Sequence, residues 1–162
     1  MDQSQVRPTI LVVDDAPENL MIMDAILGGR YALKLIDNAQ EALAYAQSTP
    51  PDLILLDIMM PEMDGFEVCR RLKSNPDLAD VPVIFITSKN DIEDEEQGFA
   101  VGASDFIHKP ISAPIVSARV KTHLKIKFML DFLKDENARL QANAGEMGML
   151  KEMLWGGAFV KR

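Results

Sequence analysis

Short apolar runs alternate along the chain with segments whose apolar residues recur at helical spacing. Thr9–Val13 is an unbroken β-branched and aliphatic run, the pattern of a strand covered on both faces. Residues 16–27 carry Leu20, Met21, Met23, Ile26 and Leu27 near helical spacing, with Pro17 suited to a first turn and Gly28-Gly29 closing the segment. A second strand is predicted over 31–36. Asn38, with Glu41 three residues later, makes a capping-box-like start to a helix running through Gln47, which Thr49-Pro50-Pro51 ends. Further strands are predicted over 52–56, 81–86 and 105–107, and further helices over Gly65–Lys73 and 92–101. Ser112 opens a last helix that runs unusually far, to about Ala144. Five strands alternating with five helices predict an α/β fold, a parallel sheet covered on both faces.

In such a sheet ligands bind outside the carboxyl ends of the strands. That edge is where this chain places its costly groups. Asp14 and Asp15 follow Ile10-Leu-Val-Val13, Asp57 follows Leu53-Ile-Leu-Leu56, Asp64 lies in Pro61-Glu-Met-Asp-Gly65, and Lys109 follows Asp105-Phe-Ile-His108. Acidic groups at the ends of buried strands are unfavourable unless they hold a cation or do chemistry. Clustered carboxylates repel each other, and a divalent cation relieves that repulsion. Hard oxygen ligands in an incomplete cage suggest Mg2+. A carboxylate can also attack phosphorus and form an aspartyl phosphate, with the cation and a lysine neutralising the transferred oxygens and a hydroxyl such as Thr87 or Ser88 bonding one of them.

Bulk properties narrow this picture. The 162 residues suffice for one domain with a proper core plus an appendage. A net charge of -8 speaks against a broad nucleic-acid footprint, so no direct nucleic-acid contact is expected. The single cysteine, Cys69, excludes an internal disulfide and fits a reducing, cytoplasmic compartment. The first residues lack the apolar stretch of a signal peptide, and no apolar run reaches the roughly 18 residues of a membrane span, so no membrane partner is expected.

Four stretches in order, Ile10-Leu-Val-Val-Asp-Asp15, Leu56-Asp-Ile-Met-Met-Pro-Glu-Met-Asp-Gly65, Val83-Ile-Phe-Ile-Thr-Ser88 and Gly102-Ala-Ser-Asp-Phe-Ile-His-Lys-Pro110, give the chain its resemblance to the response-regulator receiver domain of two-component signalling. The resemblance covers residues from about 9 to 125. It implies a flavodoxin-like, doubly wound (βα)5 fold and a role for each matching residue. Asp57 would be the phosphoacceptor. Asp14, Asp15 and Asp57 would hold Mg2+, joined by the backbone carbonyl of Met59. Lys109 would pair with the phosphoryl group, Thr87 would swing towards it, and Phe106 would move inward with Thr87. Many receivers carry tyrosine at that last position, so this phenylalanine lacks a hydroxyl to read out. The bond before Pro110 would be cis, a geometry that X-Pro bonds alone make inexpensive. The phosphoryl donor would be a sensor histidine kinase or a phosphotransfer protein. Met59 and Lys89, two places beyond Asp57 and Thr87, would flank the mouth of the site and tune phosphoryl loss.

Plainer roles account for the remaining residues. Asp64 with Gly65 reads as the turn into the third helix, not as a metal ligand. Cys69 reads as a small core hydrophobe. His108 and His123 lack partner clusters for metal binding. Arg119, Lys121, Lys125 and Lys127 read as a solvated basic face.

The last helix outruns what a receiver needs. Placing Leu130, Asn137 and Ala144 at heptad position a puts Ile126, Leu133, Leu140 and Met147 at d. Asn at a single a position is a device for fixing register and two-stranded pairing. A homodimer through this helix is therefore expected, with Ile126, Leu130, Leu133, Asn137 and Leu140 in the seam. Gly145 and Gly148 are expected to interrupt the helix. The organisation predicted is a flexible N-terminus over 1–8, a receiver over 9–125, a helical coiled-coil extension over 126–144, and an irregular or short helical tail over 145–162. Receivers with a similar extension often precede domains that make or degrade cyclic di-GMP, so a C-terminal output domain of that kind is implied. Two other functions compete. A magnesium-dependent phosphohydrolase with an aspartyl nucleophile usually carries a second acid two places on, where this chain has Met59. A phosphate-independent dimeric scaffold would leave the complete acidic pocket unused. The expected protein is thus not an enzyme, apart from catalysing its own aspartyl phosphorylation and dephosphorylation.

Overall fold

The computed structural model describes residues 6–88 and 92–155. Five strands, β1 (Thr9–Val13), β2 (Ala32–Ile36), β3 (Leu53–Asp57), β4 (Val83–Thr87) and β5 (Asp105–His108), alternate with five helices, α1 (Pro17–Leu27), α2 (Ala39–Ser48), α3 (Gly65–Lys73), α4 (Ile92–Ala100) and α5 (Ala113–Trp155). The strands form one parallel sheet in the order β2-β1-β3-β4-β5.

Strand alternation divides the core in two. Leu11, Val13, Ile54, Leu56, Val83, Phe85 and Phe106 point to the face covered by α2 and α3, where Ala42, Leu43, Ala46, Phe66, Cys69 and Leu72 pack. Ile10, Val12, Leu53, Leu55, Ile84, Ile86 and Ile107 point to the other face, against Met23 and Leu27 of α1 and Val116, Val120 and Leu124 of α5. The central strands β3 and β4 are buried at every residue, which is why they read as continuous apolar runs. β2 is an edge strand and buries only Ile36.

The element order is the predicted one, with shifted ends. β3 and β4 each extend one residue further, so Asp57 and Thr87 are the last residues of their strands. β4 starts later than predicted because Pro82 has no N–H to donate; its carbonyl accepts from Ile54 N (2.9 Å). Asn38 caps α2 as predicted, its Oδ1 accepting from Glu41 N (2.8 Å) while the Glu41 carboxylate accepts from Asn38 Nδ2 (3.0 Å). Within the predicted flexible N-terminus, the Pro8 carbonyl accepts from Ala32 N (2.9 Å).

The end of α5 departs most from expectation. The helix continues through Gly145 and Gly148 to Trp155. Glycine in a helix interior costs only about 1 kcal/mol relative to alanine and keeps its N–H, so flanking Ala144, Glu146, Met147, Leu150 and Lys151 can carry the helix past both. The chain divides into two compact units, Met1–Lys127 and Phe128–Arg162. The second contains the later part of α5, whose described side chains are nearly all exposed. No described helix is long and apolar enough to cross a membrane.

Candidate functional site

The strand order makes β1 and β3 neighbours, with Val13 opposite Leu56. The next residue on each strand path is an aspartate, Asp14 and Asp57. Among the described residues the buried polar or charged ones are Asp14, Asp57 and Thr87, all at the carboxyl ends of adjacent strands. Asp15 stands beside them, exposed, and carboxylate oxygens of Asp14, Asp15 and Asp57 lie within 4.8 Å of one another. Lys109 reaches in from the end of β5, its Nζ 3.7 Å from Asp57 Oδ1 and 3.8 Å from Asp14 Oδ2. Those separations are ionic but longer than hydrogen bonds, so the lysine is not committed to either carboxylate.

Local structure fixes each group. Asp14 Oδ1 accepts from Ala16 N (2.9 Å) and Oδ2 from Asn19 Nδ2 (3.1 Å), which ties the carboxylate to the start of α1. Asp57 Oδ1 accepts from Met59 N (3.3 Å). The Thr87 carbonyl accepts from Lys109 N (2.8 Å), and the Lys109–Pro110 peptide is cis. Gly65 presses its backbone against β3: a Cβ there would stand 2.5 Å from the Asp57 carbonyl oxygen and 2.8 Å from Ile58 Cα. Its N–H donates to the Ile58 carbonyl (2.9 Å), closing the loop that carries Met59.

Burial pushes the Asp57 carboxyl up to about 6 from the usual 3.8, and the negative charge of Asp14 adds to the shift. Lys109 and the Met59 N–H pull the other way, and Asp15 contributes a smaller upward push. A buried carboxyl held by two other acids and one lysine is the chemistry of a cation site and of an activated oxygen nucleophile.

The family profile described as Response regulator receiver domain matches residues 10–121. The chain belongs to the response-regulator receiver family. The receiver is 41% identical over 148 residues to a probable cyclic di-GMP phosphodiesterase of Vibrio cholerae, covering 89% of this chain and 34% of that protein. It is 42% identical over 130 residues to the response regulator PleD of Caulobacter vibrioides, covering 80% of this chain and 29% of PleD. The chain thus spans about a third of each relative's length. Among solved structures, the chemotaxis protein CheY4 of Vibrio cholerae superposes with a TM-score of 0.69 at 26% identity, over 72% of this chain and 98% of CheY4. The receiver domain of a histidine kinase from Syntrophus aciditrophicus superposes at 0.67 with 39% identity, over 73% and 90% of the two chains.

The remaining residues named from sequence fall around or away from this receiver pocket. Phe106 is buried, its ring 5.5 Å from Phe85 and 5.2 Å from Phe99 between centroids. Met59 is 54% exposed beside Asp57. Lys89 lies outside the described residues. Asp64 is the N-cap of α3, accepting from Glu67 N (3.0 Å), and is not part of the acidic cluster. Cys69 is buried against the Val101 carbonyl, and burial pushes its thiol up to about 11, which leaves it an inert core residue. The two histidines pair with carboxylates outside the acidic cluster: His108 Nε2 with Glu95 (3.1 Å) and His123 Nε2 with Asp105 (2.9 Å). Arg119 also faces Asp105 (Nε to Oδ2, 3.5 Å), so this member of the basic run has a carboxylate partner. The sequence reading missed Asn19. Its only trace is an amide five residues after the strand-end aspartate, in the first turns of a helix.

Proposed function

We propose that this receiver is a phosphorylation-controlled switch in which Asp57 accepts a phosphoryl group from a sensor histidine kinase or a phosphotransfer protein. A carboxylate oxygen of Asp57 forms the new P–O bond as the P–N bond of the donor phosphohistidine breaks. The imidazole nitrogen leaves with the electron pair and takes up a proton. With its carboxyl pushed up to about 6 before any cation binds, Asp57 is still largely ionised at neutral pH and can present an oxygen lone pair to phosphorus. The cavity of about 270 Å³ lined by Asn19, Ile22, Lys109, Pro110 and Ile111 gives the donor side chain an approach to Lys109.

The donor set fits Mg2+: three crowded carboxylates, Asp14, Asp15 and Asp57, offer hard oxygens, and the Met59 carbonyl is assigned as a further ligand. When bound, the ion supplies neutralisation of charge on the transferred oxygens. Lys109 contributes a second positive charge, Thr87 hydrogen-bonds a phosphoryl oxygen, and Phe106 follows Thr87 inward. These movements bias the face formed by α4, β5 and α5 as a two-state element.

The observation that carries the reading is the buried Asp57 beside Asp14, Asp15 and Lys109. Incubation with labelled acetyl phosphate and Mg2+ tests it: hydroxylamine-labile label is expected on the protein and absent from Asp57→Asn. Equal labelling of the variant would overturn the assignment.

The output runs through α5. With Leu130 and Asn137 at a, the d positions Ile126, Leu133, Leu140, Met147 and Leu154 are all exposed, and we assign them to a seam with a second copy of the chain, a homodimer. The likeness to a probable cyclic di-GMP phosphodiesterase supports coupling to a C-terminal output domain that acts on cyclic di-GMP. Sedimentation with and without Mg2+ and beryllofluoride checks the seam and its link to the pocket; a monomer under every condition would remove both.

A further inference from the structure

A glycine sits where α4 meets the sheet. Gly98 is the buried residue of this helix, whose other described side chains are partly or fully exposed. A glycine inside a helix costs about 1 kcal/mol relative to alanine, so its presence here calls for an offsetting cause. The cause is the ring of Phe106. A Cβ on Gly98 would stand 2.4 Å from Phe106 Cζ, 3.1 Å from Phe106 Cε2 and 3.2 Å from Phe85 Cδ2. The contact atom is the tip of a rigid ring, and two further rings flank it. Phe85 packs against it from the sheet side and Phe99 closes over it edge-on at 5.2 Å with an interplanar angle of 71°. Deeper in, Phe66 packs edge-on against Phe85 at 5.3 Å, so Phe85 is itself wedged. A methyl at 98 therefore requires the Phe106 ring to turn about its first side-chain torsion, away from the core, or α4 to move off the sheet, and the ring's rotation leaves the helix in place.

We propose that Gly98 is a positioning residue that sets the balance between the inward and outward places of the Phe106 ring, and through that ring the readiness of the Thr87 and Asp57 pocket to hold a phosphoryl group. The link to the pocket rests on the reading of Phe106 as the moving aromatic; the placement of the ring does not. The missing side chain of α4 acts as a permissive hole, and any side chain there biases the receiver against its phosphorylated form.

The test uses the full chain and Gly98→Ala, alone and combined with Phe106→Leu, which lacks the Cζ and Cε2 atoms that the methyl would strike. In the unsubstituted chain, NMR is expected to show cross-relaxation between the Phe106 ring and the Gly98 α-protons. In Gly98→Ala the ring should lose its contacts with Phe85 and residue 98. The apparent affinity for beryllofluoride with Mg2+ should fall at least fivefold. In the Phe106→Leu background the same Gly98→Ala change should alter that affinity less than twofold and raise Tm, because alanine is the better helix former. A ring that stays in place in Gly98→Ala, or an equal loss of affinity in both backgrounds, overturns the proposal. A ring that moves while the affinity stays constant supports the positioning role and instead overturns the switch reading of Phe106.

Discussion

Asp57 carries a penalty in the folded chain that solvent does not impose on it in the unfolded one. Its carboxyl is pushed up to about 6 by burial and by Asp14, so the folded chain holds a proton over a range where the unfolded chain has released it. Its contribution is therefore neutral below about pH 4 and turns destabilising as pH rises towards 6, levelling off above that at about 3 kcal/mol. Urea unfolding without divalent cations is expected to find Asp57→Asn more stable than the parent at pH 7.5, with the difference vanishing at pH 4. Adding Mg2+ at pH 7.5 should stabilise the parent more than the variant. Glu62 gives a second residue-scale prediction. It adopts φ 71°, in the left-handed region that suits Asn or Gly. Glu62→Asn is expected to raise stability by about 0.5–1 kcal/mol in the same assay. The acids, Thr87 and Lys109 were legible because each follows an apolar run at a strand end. Asn19 and the hole at Gly98 were not, because both are defined by partners that only the folded chain supplies.

Helix α5 was legible in its periodicity and not in its length. Its apolar positions recur every seven residues whatever the helix does, whereas its end depends on whether flanking residues outweigh two glycines. Nothing lies within 4 Å of a Cβ built on Gly145 or Gly148, so alanine there fills open space. Gly145→Ala with Gly148→Ala is expected to raise helicity by circular dichroism and to stabilise the helix by about 1 kcal/mol per site. Asn137 tests the seam. Replacing it with valine should tighten self-association while broadening the oligomer distribution in sedimentation, since a polar a position trades affinity for a unique register. The strands show a similar division. β3 and β4, buried on both faces, announced themselves as apolar runs, but their last residues are Asp57 and Thr87, polar groups that no hydrophobic pattern would include. The candidate site residues are therefore where the boundaries were hardest to place.

At the scale of the molecule, the two compact units predict separable properties. A chain shortened to end at Lys127 is expected to keep the (βα)5 fold, bind Mg2+ and accept a phosphoryl group on Asp57, and to sediment as a monomer at concentrations where the full chain pairs. Loss of labelling in the shortened chain would place part of the pocket's support in the later helix. The sequence resemblance carried the architecture and the pocket because both are encoded in local runs and strand-end residues. The output was not legible in the same way, since exposed apolar positions on a helix name no particular partner. The all-parallel sheet has one further consequence. Every strand enters from the same edge, and β1, β3, β4 and β5 deliver Asp14, Asp57, Thr87 and Lys109 to the opposite one, so the turns from helix back to strand all lie at the edge away from the pocket. Thr49 and Pro50, exposed in one of those turns, therefore offer a place to graft a reporter peptide, whereas a single residue added within β1 or β3 would turn Asp14 or Asp57 to the wrong side of the pleat.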